Sequence, residues 1–168
     1  MKKNIVLIGM PGAGKSSIGV VLAKSLGYRF IDSDIVIQEK EGKRLFEIIK
    51  EVGLDGFLEV ENRINAEIET ENSVIATGGS VVYGEEAMKH LKEIGTVIYI
   101  KVSYRTLRYR LGDLSKRGVA IKKGYTLRDL YNERVPLYEK YADIVLDING
   151  MNIRAAQKLI RETLNLSK

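Results

Sequence analysis

The sequence predicts an α/β fold of three layers, with a five-stranded parallel sheet between two layers of helices. Two observations carry the prediction. Five short runs of apolar, mostly β-branched residues recur along the 168-residue chain, and segments with helical spacing of apolar residues separate them. The runs are apolar nearly throughout rather than alternating, as expected of strands buried on both faces of a sheet.

In order, the predicted strands are "NIVLI" (4–8), "RFID" (29–32), "SVIAT" (73–77), "TVIYIKV" (96–102) and "DIVLDI" (143–148). The first helix spans 15–26, with Ile18, Val21, Leu22 and Leu26 on one face. The region 34–50 turns Ile35, Ile37, Leu45, Ile48 and Ile49 inward and breaks near Gly42. Further helices are expected over 58–70, 84–93, 103–111, 126–140 and 152–165. The stretch "LGDLSKRGVAIKKGYT" (111–126) is polar, punctuated by glycine and without a period. It reads as a long surface loop, and such loops often serve as lids. No repeat, low-complexity tract or linker divides the chain, so one domain over 1–168 is expected.

Composition narrows the function. The chain is 45% hydrophobic and 29% charged, and folding at this length buries roughly two thirds of the unfolded surface. No apolar run approaches the ~20 residues of a membrane span. The two lysines before "NIVLI" imitate a signal peptide, but the apolar run is too short for one, so a cytoplasmic protein is expected. The absence of cysteine excludes disulfides and thiolate metal sites, and a single histidine argues against an imidazole site. The net charge of +5 is local: residues 101–128 hold nine bases (Lys101, Arg105, Arg108, Arg110, Lys116, Arg117, Lys122, Lys123, Arg128) against Asp113. A compact anion such as a nucleotide polyphosphate accounts for that window. Only Tyr104, Tyr109 and Tyr125 interleave it, which argues against a nucleic-acid partner.

The strongest signal follows the first strand. "GMPGAGKS" (9–16) matches G-x-x-x-x-G-K-[ST] and opens a helix, the context of a P-loop. Gly9, Gly12 and Gly14 let the backbone aim consecutive N–H groups at phosphate oxygens, and the helix N-terminus adds partial positive charge. Ala13 and Ser17 complete the expected ATP cradle. Lys15 supplies a point charge for the β- and γ-phosphates, and the Ser16 hydroxyl is a Mg²⁺ ligand. The expected cofactors are therefore ATP and Mg²⁺.

The acceptor side is read from weaker signals. "FIDSD" (30–34) brings Asp32 and Asp34 to the carboxyl edge of the sheet, pointing the same way if the backbone is extended. One could hold Mg²⁺ through water and the other meet an acceptor hydroxyl; an N-cap explains either as well. "ATGGS" (76–80) ends the third strand with Gly78 and Gly79, whose N–H groups could approach substrate, with Thr77 or Ser80 bonding nearby. A tight turn is an equal reading. Arg134 stands two residues before Pro136 and near Tyr138, where a lone helical arginine is usually a surface residue.

Together these pieces resemble the shikimate kinase family, small P-loop kinases of the nucleoside-monophosphate-kinase-like type, over almost the whole chain. "GMPGAGKSSIG", "FIDSD", "GKRLFEII", "GG" (78–79), "KRGV" and "RVPLY" (134–138) carry the likeness. The resemblance implies an acceptor-binding segment at about 34–62 and a lid at about 112–124. It implies that Asp34 contacts the acceptor hydroxyl, Asp32 supports Mg²⁺, and Gly78 and Gly79 line the acceptor site. Arg134 would hold the substrate carboxylate, Arg117 would close over the transferring phosphate, and Arg110 would lie near adenine.

The chain also departs from the family. Where relatives carry Gly-Glu and then Phe-Arg, this chain has Gly53-Leu54 and Phe57-Leu58, so the carboxylate-binding arginine is replaced by Leu58. Arg117-Gly118 stands for Arg-Pro, and Ser80 for the third glycine. Losing a bidentate guanidinium–carboxylate contact removes ~1.5–3 kcal/mol. Arg63, about 140° around the helix from position 58, is poorly placed to compensate, and Arg44 has no particular claim. Glu59 and Glu61 argue against a strongly anionic acceptor, although Glu61 falls where relatives carry an acid.

The expected function is an ATP-dependent kinase that phosphorylates a hydroxyl of a small molecule, shikimate by resemblance. Leu58 leaves open another small polyol, hydroxy acid or nucleoside, and an ATP-binding regulatory switch is the rival of a different class. No membrane partner and a monomer are expected. His90 is read as lying on a solvated helix face, and the tyrosines as packing.

Overall fold

Strand β1 (Asn4–Ile8) runs down the middle of a single all-parallel sheet. On one side it pairs with β3 (Ser73–Ala76), beyond which lies β2 (Arg29–Asp32). On the other it pairs with β4 (Gly95–Lys101), beyond which lies β5 (Ile144–Asp147), giving the order β2-β3-β1-β4-β5. Every strand limit lies within one residue of the sequence expectation. Val6, Leu7 and Ile8 are fully buried in succession. Because successive side chains point to opposite faces, both faces of the sheet are covered. The computed structural model describes residues 3–112 and 119–166.

The covering helices are α1 (Lys15–Leu26), α2 (Ser33–Glu41), α3 (Leu45–Ala66), α4 (Glu85–Ile94), α5 (Tyr104–Leu111), α6 (Leu127–Tyr141) and α7 (Ile153–Thr163). Local chemistry starts several of them. Thr126 and Asp129 form a reciprocal capping box on α6. The Asn152 side chain accepts from the Ala155 N–H at the start of α7 (2.8 Å).

One expectation is corrected here. The sequence suggests a helix ending at 70, whereas α3 ends at Ala66; the break suggested between 50 and 58 is present as a kink at Gly53. Gly53 (φ 75, ψ 177) inserts one non-helical residue, a conformation essentially restricted to glycine, and the helix resumes beyond it. The chain then turns to enter β3, with Ile68 plugged into the sheet core.

Two apolar clusters result. The larger surrounds the sheet; the smaller joins Ile37, Ile48, Phe57 and Ile64 beneath α2 and α3. The smaller one fixes α3 beside the carboxyl ends of β1, β2 and β3, where open α/β sheets bind ligands. Residues 119–126 form no helix or strand, in keeping with the expected loop. Arg117 lies outside the described residues. Among the described residues, no helix is long and apolar enough to cross a membrane.

Candidate active site

The turn from β1 into α1 builds the phosphate cradle. Gly14, the N-cap of α1, has φ 95, which L-residues with side chains rarely adopt. The turn is closed by Ala13 N–H donating to the Met10 carbonyl at 3.1 Å. Ser16 and Ser17 are exposed in the first turn of α1, and Lys15 is buried. The Lys15 ammonium donates to the carbonyls of Gly9 (2.7 Å) and Met10 (2.8 Å). Burial lowers its pKa to about 8, with Arg134 adding to the shift and Asp34 and Asp32 opposing it. From α5, Arg110 donates to the Gly12 carbonyl at 3.0 Å, so this base leans on the same loop.

Asp32 and Asp34 do not point the same way. Asp32 ends β2 and caps α2, accepting from the Asp34 N–H at 3.0 Å; its second oxygen accepts from the Ser16 hydroxyl at 3.3 Å. Asp34 already belongs to the first turn of α2, and its carboxylate faces the turn after β3. Helix formation immediately after β2 removes the extended geometry that the expectation needed. Asp34 is raised to about 6, first by burial and then by Asp32, with Lys15 pulling it down.

The glycine turn explains itself by close approach. A Cβ on Gly78 would stand 2.6 Å from Asp34 Oδ1 and 3.0 Å from Glu61 Oε2. One on Gly79 would stand 2.7 Å from Pro11 and 3.0 Å from Arg134 Nη1. Tyr138, fully buried and stacked on Tyr99, donates to the Gly79 carbonyl at 2.6 Å and holds the turn in place. Thr77 is structural: its hydroxyl donates to the Leu7 carbonyl at 2.8 Å. Between these groups lies a cavity of about 160 Å³ lined by Pro11, Asp34, Glu61, Gly78, Gly79 and Arg134, among others.

Arg134 reverses the surface expectation, being 1% exposed. It donates from Nη2 to the Ala120 carbonyl (2.6 Å) and from Nε to the Tyr83 hydroxyl (3.4 Å), with its guanidinium over the Tyr83 ring. A buried cation held by neutral oxygens beside a cavity is suited to an anionic ligand group.

Glu61 was not a candidate ligand in the sequence, yet it lies in the cavity wall, 2% exposed. The signal available was its spacing: Phe57, Glu61 and Ile64 fall on one helical stripe, and all are buried. Glu59 is exposed. Glu61 accepts from the Ser80 hydroxyl at 2.6 Å, and burial raises it to about 7, with Asp34 adding and Ser80 and Arg134 opposing.

Neither proposed substitute for the absent arginine reaches the cavity. Arg63 is exposed and paired with Glu41 at 2.9 Å, and Arg44 borders an open groove beside Lys43 and Glu47. Leu58 lines a neighbouring cavity of about 200 Å³ with Leu54, Tyr83 and Lys122; Ala120 borders both cavities. His90 is half-buried and bonded to the Ile68 carbonyl (2.6 Å), so it is not on a solvated face. Among the described residues, no three His, Cys, Asp or Glu side chains cluster as a metal site. The Ser16–Asp32 pair offers two hard oxygen donors, suited to Mg²⁺ completed by phosphate and water.

Known proteins agree with this geometry. A family model described as shikimate kinase matches residues 11–165. A shikimate kinase of Thermodesulfovibrio yellowstonii is 37% identical over 169 residues, spanning 98% of this chain and 97% of the relative. One from Francisella tularensis subsp. novicida is 40% identical over 156 residues, 90% and 89% of the two chains. The solved shikimate kinase of Acinetobacter baumannii in complex with shikimate superposes with a TM-score of 0.87 at 32% identity, covering 99% of this chain and 96% of that one. Matched by the family model over nearly its whole length and similar along that length to these relatives, this chain belongs to the shikimate kinase family.

Proposed function

We propose that the protein transfers the γ-phosphoryl group of ATP to a hydroxyl of shikimate, acting as one kinase unit over residues 1–168. The observation that carries this reading is the meeting of three groups at one sheet edge. Lys15 from the P-loop feels both Asp34 from α2 and Arg134 from α6, and Asp34 and Arg134 line one cavity.

Residues 9–17 cradle the triphosphate, and Lys15 moves from its own loop carbonyls onto the phosphate oxygens, where it neutralises developing charge. Ser16 directly and Asp32 through water would hold Mg²⁺, which supplies charge neutralisation at the phosphates when bound. Arg110 lies over the P-loop on the adenine side. Arg134 takes the acceptor carboxylate, while the Gly78–Gly79 turn lets the ring approach the backbone closely. Asp34 orients the reacting hydroxyl and accepts its proton, a role favoured by a pKa near 6. Segment 34–62 forms the acceptor wall. The 112–124 lid closes and excludes water, with Arg117 completing the positive charge around the transferred group.

The test is phosphorylation of shikimate followed by ADP release, with shikimate compared against other small polyols, hydroxy acids and nucleosides. Shikimate-dependent ADP release that disappears in Lys15→Ala is the expected result. Turnover with another acceptor and none with shikimate would refute the reading.

A further inference from the structure

We infer that Tyr83 is a positioning residue for Arg134: its hydroxyl ties the arginine Nε to the carboxylate of Glu133 and so presents Nη1 to the acceptor cavity. The inference rests on the function proposed above, in which Arg134 meets the acceptor carboxylate, and adds the two residues that hold it there.

Glu133 and Arg134 are neighbours on α6, about 100° apart around the helix axis, so their side chains leave it in different directions. Tyr83, from the single 3-10 turn Val81–Tyr83 that follows the glycine turn, joins them. Arg134 Nε donates to the Tyr83 hydroxyl at 3.4 Å, and that hydroxyl donates to Glu133 Oε1 at 2.7 Å. The direction of this chain is fixed by its ends, because a guanidinium only donates and a carboxylate only accepts. Burial and the bond to Glu133 raise the phenol pKa, so Tyr83 keeps the proton that the chain requires.

The intervening phenol decides what the guanidinium can still do. Arg134 is 1% exposed, yet among the described residues no carboxylate pairs with it directly. A direct partner would commit its charge at short range, whereas a neutral hydroxyl orients it and leaves that charge for a ligand anion. Each nitrogen then has its own place. Nε meets Tyr83, Nη2 meets the Ala120 carbonyl at 2.6 Å, and Nη1 stands 3.0 Å from the point where a Cβ on Gly79 would lie, at the cavity wall. The Tyr83 ring, 5.4 Å from the guanidinium carbon, packs against the same group. The fork is therefore oriented before a ligand arrives, which lowers the cost of binding one.

Neither Tyr83 nor Glu133 lines the cavity that holds Asp34 and Gly78; both line the neighbouring one of about 200 Å³. They act on the acceptor through Arg134 alone.

The experiment measures kcat, KM for shikimate and KM for ATP in the unmodified protein, Tyr83→Phe and Glu133→Ala. In each it also measures inhibition by the carboxamide of shikimate, which presents no carboxylate. Tyr83→Phe keeps the ring and removes the oxygen. KM for shikimate should rise about two- to tenfold, as for one lost hydrogen bond, while kcat and KM for ATP hold within about twofold. Glu133→Ala should raise KM for shikimate by less, because the phenol still accepts from Nε. In both variants the inhibition constant of the carboxamide should change less than KM for shikimate, since the amide does not draw on the full charge-assisted contact. A purely structural role would weaken acid and amide equally. Equal losses, or an unchanged KM for shikimate in Tyr83→Phe, overturn this inference alone. If Tyr83→Phe does not fold, Glu133→Ala carries the comparison with the same outcomes. Absence of any shikimate phosphorylation by the unmodified protein overturns the proposed function and this inference with it.

Discussion

Arg134 Nη2 donates to the carbonyl of Ala120 at 2.6 Å, so the guanidinium beside the Asp34–Gly78 cavity is bonded to the C-terminal side of the 112–124 segment. Arg134→Lys keeps a charge but loses the planar fork that serves Ala120, Tyr83 and a ligand together. KM for shikimate should rise about ten- to a hundred-fold. Stability should fall by about 1 kcal/mol, because the half-buried Ala120 carbonyl loses its guanidinium donor. Steady-state kinetics and thermal melting read the two effects separately. Unchanged KM would remove Arg134 from carboxylate binding.

The pH profile of kcat/KM should be bell-shaped. On the acid side, activity falls as Asp34 takes up its proton, around 6. On the alkaline side, it falls as Lys15 loses its proton above about 8. Bound phosphate favours the charged ammonium, so the alkaline limb should move to higher pH in the kcat profile, which reports the substrate complex. Asp34→Asn should cut kcat by about 10²–10⁴-fold while ATP still binds. An effect confined to KM would show that Asp34 does not act as the base.

Leu58→Arg introduces the arginine that the family resemblance implies at this position. It should improve shikimate affinity about ten- to a hundred-fold, read by calorimetry with a non-hydrolysable ATP analogue. No gain would mean that Arg134 alone meets the carboxylate.

Gly53→Ala tests the kink in α3. The φ of +75 with ψ 177 is strained for any L-residue, so the substitution should cost about 1–3 kcal/mol in denaturant unfolding. Nothing stands within 4 Å of a Cβ built there, so a loss would report backbone conformation rather than a clash. An unchanged midpoint would show that the bend tolerates a side chain.

Much of the fold was legible in the sequence because its signals are local. The apolar strands, the helix over 15–26 and the Gly-Lys-Ser turn each follow from residues adjacent in the chain. The helix bounds over 50–58 were less legible: Gly53 kinks α3, and packing of Ile48, Phe57 and Ile64 with Ile37 holds the helix on both sides of the kink. For Asp32 and Asp34, strand geometry and N-capping competed, and the cap prevailed for Asp32.

The sequence by itself determined the parallel α/β sheet, the P-loop and the family, since periodicity, turn chemistry and motif spacing are encoded over short stretches. Only the tertiary structure decided what surrounds the acceptor. Spacing alone reads Arg134 as a surface residue, against what the family resemblance implies, and Glu61 as part of an acidic run; their burial follows only when α3, α6 and the Gly78–Gly79 turn meet at the same edge. Burial and charge coupling between residues far apart in the chain have no local pattern to announce them.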